Sequence, residues 1–108
     1  MYQEKDFDSI KVTIVSNLPG VKKIVLFGSY AKNTASDDSD IDIAILTELP
    51  VDRREKLSAL SSIRWVFGLK GYKTDIIVKT EAEYEEEKTL PSLSSVIARE
   101  GKVLWTKN

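Results

Sequence analysis

The chain of 108 residues carries 17 acidic and 16 basic side chains, which gives a net charge of −1 at pH 7. This balance leaves no basic excess to neutralise a phosphate backbone, so general binding to duplex nucleic acid is not expected. The sequence contains neither cysteine nor histidine, which excludes disulfides, thiolate nucleophiles, zinc sites built from these residues and imidazole acid–base catalysis. Any chemistry must come from carboxyl, hydroxyl, amine or guanidinium groups, with or without a metal that prefers oxygen ligands.

The sequence gives no sign of export or of membrane insertion. Its first residues lack the basic start and the long apolar run of a secretory signal. Its apolar runs stay far below the roughly 20 residues that span a bilayer. The length favours one domain over residues 1–108. We therefore expect a soluble, cytoplasmic protein with a single domain.

The spacing of apolar residues switches between helical and strand patterns along the chain. Short β-branched runs bounded by glycine or polar residues are typical of buried strands, and spacings of three and four residues are typical of helices. The predicted elements, in chain order, are a helix over 7–18, a strand over 21–27, a helical turn over 29–32, a strand over 40–47, a helix over 52–67, a strand over 72–79, helices over 81–88 and 92–100, and an edge strand over 103–105. This order predicts an α/β (α+β) fold, in which a small mixed β-sheet packs against helices.

Polar residues mark the ends of several predicted elements. Asp6 or Asp8 can cap the first helix, Asp52 can cap the long helix, and Asn33 tolerates the left-handed conformation that would stop the helical turn. The acidic run from Glu81 to Glu87 is most simply a solvated helix face, because its spacing converges on no single side. Its charge would repel nucleic acid from that surface.

The long predicted helix has an apolar face and a second face of different composition. The apolar face holds Leu57, Leu60, Ile63, Val66 and Phe67. Trp65 lies off that face, on the side that carries Arg54 and the serines Ser58, Ser61 and Ser62. Two interpretations stay open: Trp beside Arg is typical of a surface that binds a partner or a second copy of the chain, and a Trp near a helix end is often covered by its own chain.

Two carboxylates stand close together at the start of the second predicted strand. Asp40 and Asp42 are separated by one residue, so on a strand their side chains leave the same face roughly 6–7 Å apart. Like charges in such proximity do not stabilise a fold, but they suit a cation with oxygen ligands. Mg²⁺ takes one or two carboxylates together with substrate phosphates. Asp40 and Asp42 are therefore candidate metal ligands.

A Gly-Ser pair lies between the first predicted strand and the helical turn. Gly28 allows the backbone to approach a ligand closely, and amides at the start of a helix attract anions. The hydroxyl of Ser29 adds a donor for a phosphate oxygen, and Lys32, one turn later, can place its ammonium near the same group. These residues form a candidate triphosphate site beside the carboxylates.

A third carboxylate is expected on a neighbouring strand. Asp75 is the single acid of an otherwise apolar run, and an isolated acid in a buried strand is costly unless it is paired or binds a metal. Near a metal it could accept the proton of an attacking hydroxyl. Each motif alone has an ordinary structural explanation, and Asp75 alone could be a salt-bridged residue. Their occurrence in order on three predicted strands favours one shared site.

Together these residues resemble the signature of the DNA polymerase β-like nucleotidyltransferase superfamily. The signature consists of Gly28-Ser29, ten intervening residues and then Asp40-x-Asp42. The similarity covers nearly the whole chain, up to the closing IAREGKVLW segment, and the short length is similar to the minimal nucleotidyltransferase (MNT) branch. The resemblance implies a nucleotidyltransferase fold like the polymerase β palm over residues 1–108.

The resemblance also implies a reaction and a role for each site residue. Its members transfer a nucleoside monophosphate, here expected to be AMP from ATP, to a hydroxyl with two Mg²⁺ ions. Asp40 and Asp42 would hold both metals, Asp75 would hold the catalytic one, and Gly28-Ser29 would bind the triphosphate. Relatives frequently carry arginine near Lys32, whose ammonium lacks the bidentate fork of a guanidinium.

The MNT branch further implies a partner. Its members are commonly encoded beside a small helical ribonuclease toxin of the HEPN type, and some neutralise it as antitoxins by adding AMP to a tyrosine. Two alternatives remain: an antitoxin that works by binding alone, and a small-molecule nucleotidyltransferase of the aminoglycoside-modifying kind. A homo-oligomer is compatible with each of these functions.

Overall fold

The computed structural model describes residues 2–107. Its strands are β1 (Val21–Phe27), β2 (Ile41–Thr47), β3 (Thr74–Thr80) and β4 (Lys102–Thr106), and its helices are α1 (Glu4–Asn17), α2 (Arg53–Leu69), α3 (Glu81–Glu87) and α4 (Leu93–Glu100). A single 3₁₀ turn covers Gly28–Tyr30. The four strands form one sheet in the order β3-β2-β1-β4. β1 is antiparallel to β2 and β4, and β2 is parallel to β3, so the predicted mixed sheet is confirmed.

Helices cover both faces of this sheet. Successive residues of a strand point to opposite faces, so each strand contributes to two cores. The larger core lies under α1 and α2 and includes Ile10, Ile14, Leu18, Ile24, Leu26, Ile41, Ile43, Ile45, Leu60, Ile63 and Phe67. The smaller core lies under α3 and α4 and contains Val25, Phe27, Ala44 and Ile97. Within residues 2–107, no helix has both the length and the apolar character needed to cross a bilayer.

Two strands begin later than the sequence predicts. β2 begins at Ile41 rather than at residue 40, and β3 begins at Thr74 rather than at residue 72. Tyr72 is held by the end of α2 instead, because its amide donates to the Phe67 carbonyl at 2.8 Å. Its hydroxyl donates to Asp6 at 3.0 Å. Because these two bonds hold Tyr72 against α2 and α1, the chain joins the sheet at Thr74 and not at Tyr72.

The predicted caps of α1 are wrong. Gln3 is the capping residue, and Asp6, in the first turn, accepts the Gln3 amide at 2.7 Å. This hydrogen bond holds the pKa of the Asp6 carboxyl below its usual value. Asp8 instead forms an ion pair with Lys11 at 2.9 Å. Aspartate is a more common capping residue than glutamine, which is why the sequence favours Asp6 or Asp8. In the structure Asp6 lies in the first turn of the helix, and its carboxylate accepts the amide of the capping residue Gln3.

The cap of α2 is confirmed, and its apolar face is narrower than expected. Asp52 accepts the amides of Arg54 and Glu55 at 3.1 and 3.4 Å. Leu57 is 52% exposed, because the sheet and α1 pack only against the side of α2 that carries its buried residues. Trp65 is 70% exposed, so the interpretation in which its own chain covers it is wrong.

The acidic run forms an exposed helix, as predicted, and two of its members also hold neighbouring elements. No residue of α3 is buried. Glu83 accepts the Thr80 amide at 3.1 Å, and Thr80 caps the helix by accepting the Glu83 amide at 3.0 Å. Glu87 pairs with Lys79 at 2.7 Å and accepts the Ser94 hydroxyl at 3.1 Å, which lowers its pKa. Glu87 therefore joins β3 to α4.

Candidate active site

The side chains of Asp42 and Asp75 lie side by side at one end of the sheet. Asp42 is the second residue of β2, and its partner across the parallel pair is Asp75, the second residue of β3. Paired residues of adjacent strands stand about 5 Å apart and point to the same face. Ala44 belongs to the smaller core, so this is the face that α3 and α4 cover further along. The structure brings together two of the three candidate carboxylates.

Gly28 is the residue against which the Asp42 carboxylate packs. Its φ is +72°, in the left-handed region, and a Cβ added there would overlap the Asp42 Oδ2 and lie 3.1 Å from the Asp42 Cγ. Both the backbone conformation and the available space therefore require glycine. The sequence predicted that Gly28 makes room for a ligand, and the structure adds that it makes room for a neighbouring carboxylate.

The electrostatic environment of Asp42 disfavours its negative charge. Burial raises the pKa of the Asp42 carboxyl above its usual value, and the charges of Asp75 and Asp40 raise it further. A cation bound beside these groups would offset the repulsion and favour the ionised form of Asp42. The site is therefore arranged to gain from a bound cation.

Asp40 occupies a different position from the one the sequence predicts. It precedes β2 and is exposed, so it lies in the loop rather than on the strand. Its charge acts on Asp42, yet in the part of the chain described no three acidic side chains approach closely enough to enclose a metal ion. The oxygen donors still fit Mg²⁺, which takes one or two carboxylates and completes its shell with water and phosphate oxygens. Asp42 and Asp75 meet that requirement as a pair.

Ser29 lies on a turn that is fixed by its own backbone. The amides of Ala31 and Lys32 donate to the Gly28 carbonyl at 3.1 and 3.2 Å, and the Thr34 amide donates to the Ser29 carbonyl at 2.9 Å. The turn ends at Asn33, whose φ of +60° confirms the predicted left-handed residue. The predicted helical turn is thus a single 3₁₀ turn, and it holds Ser29 directly beside the Gly28–Asp42 contact.

Lys32 has an acidic partner that the sequence did not reveal. Its ammonium lies 3.3 Å from the carboxylate of Glu100, the last residue of α4. Gly101 follows, and a Cβ there would come within 2.6 Å of the Val25 side chain, so α4 ends in tight contact with β1. Helical spacing predicts which face of α4 is buried, but not which side chain its last residue meets. Glu100 therefore keeps Lys32 at the edge of the turn.

The larger surface grooves lie away from these residues. One groove of about 450 Å³ is lined by Asn17, Asp52, Arg54 and Ser58, among others. It lies at the start of α2, which follows the carboxyl end of β2, whereas Asp42 lies near the amino end of that strand. This groove does not contribute to the carboxylate site.

Sequence comparison places these residues in a known family. The model of the nucleotidyltransferase domain family matches residues 9–104, which include every candidate residue described above. A protein of Methanocaldococcus jannaschii that is assigned as a protein adenylyltransferase is 31% identical over 106 residues, which cover 97% of this chain and 100% of that protein.

Solved structures with the same fold include toxin–antitoxin proteins. A crystal structure of a toxin–antitoxin with AMP-PNP matches with a TM-score of 0.69 at 24% identity, over 95% of this chain and 75% of that chain. The MNT antitoxin in complex with tri-AMPylated HEPN toxin from Shewanella oneidensis matches with a TM-score of 0.65 at 22% identity, over 98% and 74%. A protein of Sulfolobus solfataricus assigned as a nucleotidyltransferase gives 0.62 at 22% identity, over 94% and 79%. The family match and the shared fold lead to one conclusion: this chain belongs to the nucleotidyltransferase domain family and is a nucleotidyltransferase with the fold of MNT antitoxins.

Proposed function

We propose that this nucleotidyltransferase moves AMP from ATP to a tyrosine hydroxyl of a HEPN-type toxin and thereby acts as its antitoxin. The observation that carries the proposal is the register of Asp42 opposite Asp75, beside the Gly28–Tyr30 turn. This arrangement offers paired carboxylates and a phosphate-binding turn within one site. Transfer to a hydroxyl needs both parts, because negative charge on the phosphates must be offset where the bond changes occur.

The reaction exchanges one bond to phosphorus for another. The hydroxyl oxygen of the acceptor bonds to the α-phosphorus of ATP, and the bond from that phosphorus to the bridging oxygen of the β-phosphate breaks. Pyrophosphate leaves with the electron pair of the broken bond. The hydroxyl proton passes to the carboxylate of Asp75, which lies on the outer strand of the sheet, where an acceptor can approach.

The turn after β1 binds and orients the triphosphate. The Ser29 hydroxyl donates to a phosphate oxygen, and the absence of a side chain at Gly28 keeps the Asp42 carboxylate close to the turn. Lys32 already shares its ammonium with Glu100 at 3.3 Å, and its remaining hydrogens can face the phosphates. Orienting the triphosphate in this way lowers the entropy that must be lost when the reacting atoms meet.

Asp42 and Asp75, with Asp40 from the preceding loop, are the residues that would hold Mg²⁺. When bound, Mg²⁺ would supply positive charge to offset the negative charge of the phosphates. The raised pKa of Asp42 supports this assignment, because a bound cation would offset the burial and the neighbouring charges of Asp75 and Asp40 that disfavour its ionised form.

The choice of acceptor is supported by the relatives. The M. jannaschii protein, assigned as a protein adenylyltransferase, resembles this chain over nearly all of both lengths. The S. oneidensis structure contains a tri-AMPylated HEPN toxin bound to an MNT antitoxin. Transfer to a HEPN-type partner of this chain would require that partner to present the proposed tyrosine at the open edge beside Asp75.

Labelling with ATP tests the proposal directly. The chain is incubated with ATP labelled at the α-phosphate, Mg²⁺ and the product of the neighbouring gene. We expect label on that partner, and its loss in Asp42→Asn and Asp75→Asn. Asp8→Asn removes an equal charge from an exposed ion pair on α1 and should keep full labelling.

Changing the labelled tyrosine of the partner to phenylalanine should remove the label. Two results would contradict the proposal. If the partner stays unlabelled while its ribonuclease activity is neutralised without ATP, the chain acts by binding alone. If a small molecule is labelled and the partner is not, the acceptor class is wrong.

A further inference from the structure

Tyr2 contacts residues that neighbour both halves of the candidate site. The centroid of its ring lies 5.8 Å from that of Tyr30, the residue after Ser29. Its hydroxyl bonds to the backbone just before β3, the strand that carries Asp75. We propose that Tyr2 is a positioning residue for nucleotidyl transfer, which fixes the start of β3 and thereby the place of Asp75. This inference rests on the proposed role of Asp75.

The Tyr2 hydroxyl forms hydrogen bonds on both sides of a short loop. It donates to the Gly71 carbonyl at 2.9 Å and accepts the Lys73 amide at 3.0 Å. The Lys73 carbonyl in turn accepts the Ile41 amide at 2.8 Å. The backbone of Lys73 is therefore held by Tyr2 on one side and by β2 on the other, two residues before Asp75.

The Tyr2 ring packs between the same two regions. It meets the Tyr72 ring edge to face, with centroids 5.5 Å apart, and it lies beside Tyr30. Tyr30 is buried in the larger core and is the last residue of the turn that carries Ser29. One side chain therefore ties the strand of Asp75 to the proposed phosphate-binding turn.

The position of β3 explains why such a tie matters. Within residues 2–107, β3 is an outer strand of the sheet with β2 as its one neighbour, and both Asp75 and Lys73 are exposed. The first residues of an outer strand open more readily than those of a central one, because fewer contacts hold them. A displacement of about 1 Å at a reacting group can lower a rate by as much as a hundredfold. The hydroxyl bonds of Tyr2 oppose that displacement.

Two other tyrosines provide matched controls. The Tyr30 hydroxyl is buried and has no hydrogen-bond partner within residues 2–107. The Tyr72 hydroxyl donates to Asp6 on α1 and does not bond to the start of β3. Replacing each tyrosine with phenylalanine thus removes one hydroxyl from the same aromatic cluster, but of these three hydroxyls it is that of Tyr2 that bonds directly to the backbone of Gly71 and Lys73.

The experiment compares Tyr2→Phe, Tyr30→Phe, Tyr72→Phe and Asp75→Asn in the labelling assay, with ATP, Mg²⁺ and the product of the neighbouring gene as acceptor. We expect Tyr2→Phe to lower kcat about three- to tenfold, with KM for ATP changed less than about twofold, because the turn that binds ATP is untouched. We expect the Lys73 amide to exchange its hydrogen faster in Tyr2→Phe alone. Tyr30→Phe should match the wild type in the hydrogen exchange of the Lys73 amide, and Tyr72→Phe should lower kcat less than Tyr2→Phe does.

Three outcomes would overturn the inference. The Lys73 amide could exchange in Tyr2→Phe as slowly as in the wild type. Tyr2→Phe could transfer AMP as fast as the wild type. Tyr72→Phe could lower kcat as much as Tyr2→Phe, which would show that the whole cluster matters rather than the β3 contact. A fully active Asp75→Asn would instead refute the proposed role of Asp75, and the hydrogen exchange of Lys73 would still report on the contact itself.

Discussion

At the scale of single residues, Gly28 shows how a missing side chain shapes the site. Gly28→Ala places a Cβ where the Asp42 carboxylate lies and keeps a φ of +72° that alanine adopts only with strain. We expect the free energy of unfolding to fall by about 1–3 kcal/mol. Transfer activity should be lost as well, because Asp42 must move away. Chemical denaturation and the labelling assay measure the two effects.

Gly68→Ala is the matched control for that substitution. Gly68 lies in α2, and a Cβ there would meet no atom within 4 Å. Alanine in a helix is more stable than glycine by about 0.5–1 kcal/mol, so this variant should gain stability and keep its activity. If Gly28→Ala behaved like Gly68→Ala, the Asp42 carboxylate would have to lie elsewhere.

Asp42 should make the stability of the metal-free protein depend on pH. The pKa of Asp42 is higher in the folded state than its ordinary value in the unfolded chain. Between these two pKa values the folded state therefore binds more protons than the unfolded state. Stability therefore falls as the pH rises from the ordinary carboxyl pKa through the raised pKa of Asp42. Asp42→Asn removes this contribution.

The variant Asp42→Asn is therefore expected to melt at the same temperature as the wild type, or at a higher one, near neutral pH without Mg²⁺. Its advantage should shrink as the pH is lowered toward the ordinary carboxyl range. Thermal unfolding across this pH range, in the presence of a chelator, makes the measurement. A large loss of stability at neutral pH would assign a structural role to the Asp42 carboxylate.

At the scale of elements, α4 depends on one buried apolar side chain. Ile97 is 1% exposed and is the α4 member of the smaller core. Ile97→Ala should lower the free energy of unfolding by about 2–5 kcal/mol, because it leaves a cavity in a small cluster. Because Glu100 lies one turn later, the Lys32–Glu100 pair should loosen and KM for ATP should rise. Denaturant unfolding and steady-state kinetics test both effects.

The outer face of α2 leads to a separate expectation. Trp65 is 70% exposed, so Trp65→Ala should change the free energy of unfolding by less than about 0.5 kcal/mol. The interpretation of this face as a binding surface stays a prediction. On that interpretation the same variant weakens association with a partner or a second copy by about 2 kcal/mol. Calorimetric titration of the wild type and the variant measures this change, and equal affinities would show that the face is not a binding surface.

At the scale of the whole molecule, the sequence predicts the elements well and their contacts less well. Patterns of apolar residues are local, so they locate β1 with its observed bounds and the cap of α2 at Asp52. The exposure of Leu57 depends on how far α1 and the sheet reach around α2. The spacing of apolar residues along the chain does not show how far α1 and the sheet extend around α2.

In the candidate site, too, the sequence predicts which residues are involved better than it predicts their contacts. The sequence predicts a shared location for the candidate carboxylates, because Asp40 and Asp42 begin one predicted strand and Asp75 lies within another that is expected to neighbour it. The direct pairing of Asp42 with Asp75 depends on the register of β2 against β3, and the contact of Lys32 with Glu100 depends on how α4 packs on β1. Both are consequences of tertiary packing, and periodicity does not encode them.

The register between β2 and β3 links catalysis to correct folding. The pairing that sets Asp42 opposite Asp75 also sets Ile43 opposite Ile76, with both isoleucines in the larger core. A slip of one residue would turn Ile76 outward and drive Asp75 into that core. Misregistered chains would therefore lose stability and activity together. Inserting one residue within β3 should therefore lower stability and activity far more than inserting one in the 35–39 loop. Chains in which the hydrophobic core has formed in this register are thus the same chains in which Asp42 lies opposite Asp75.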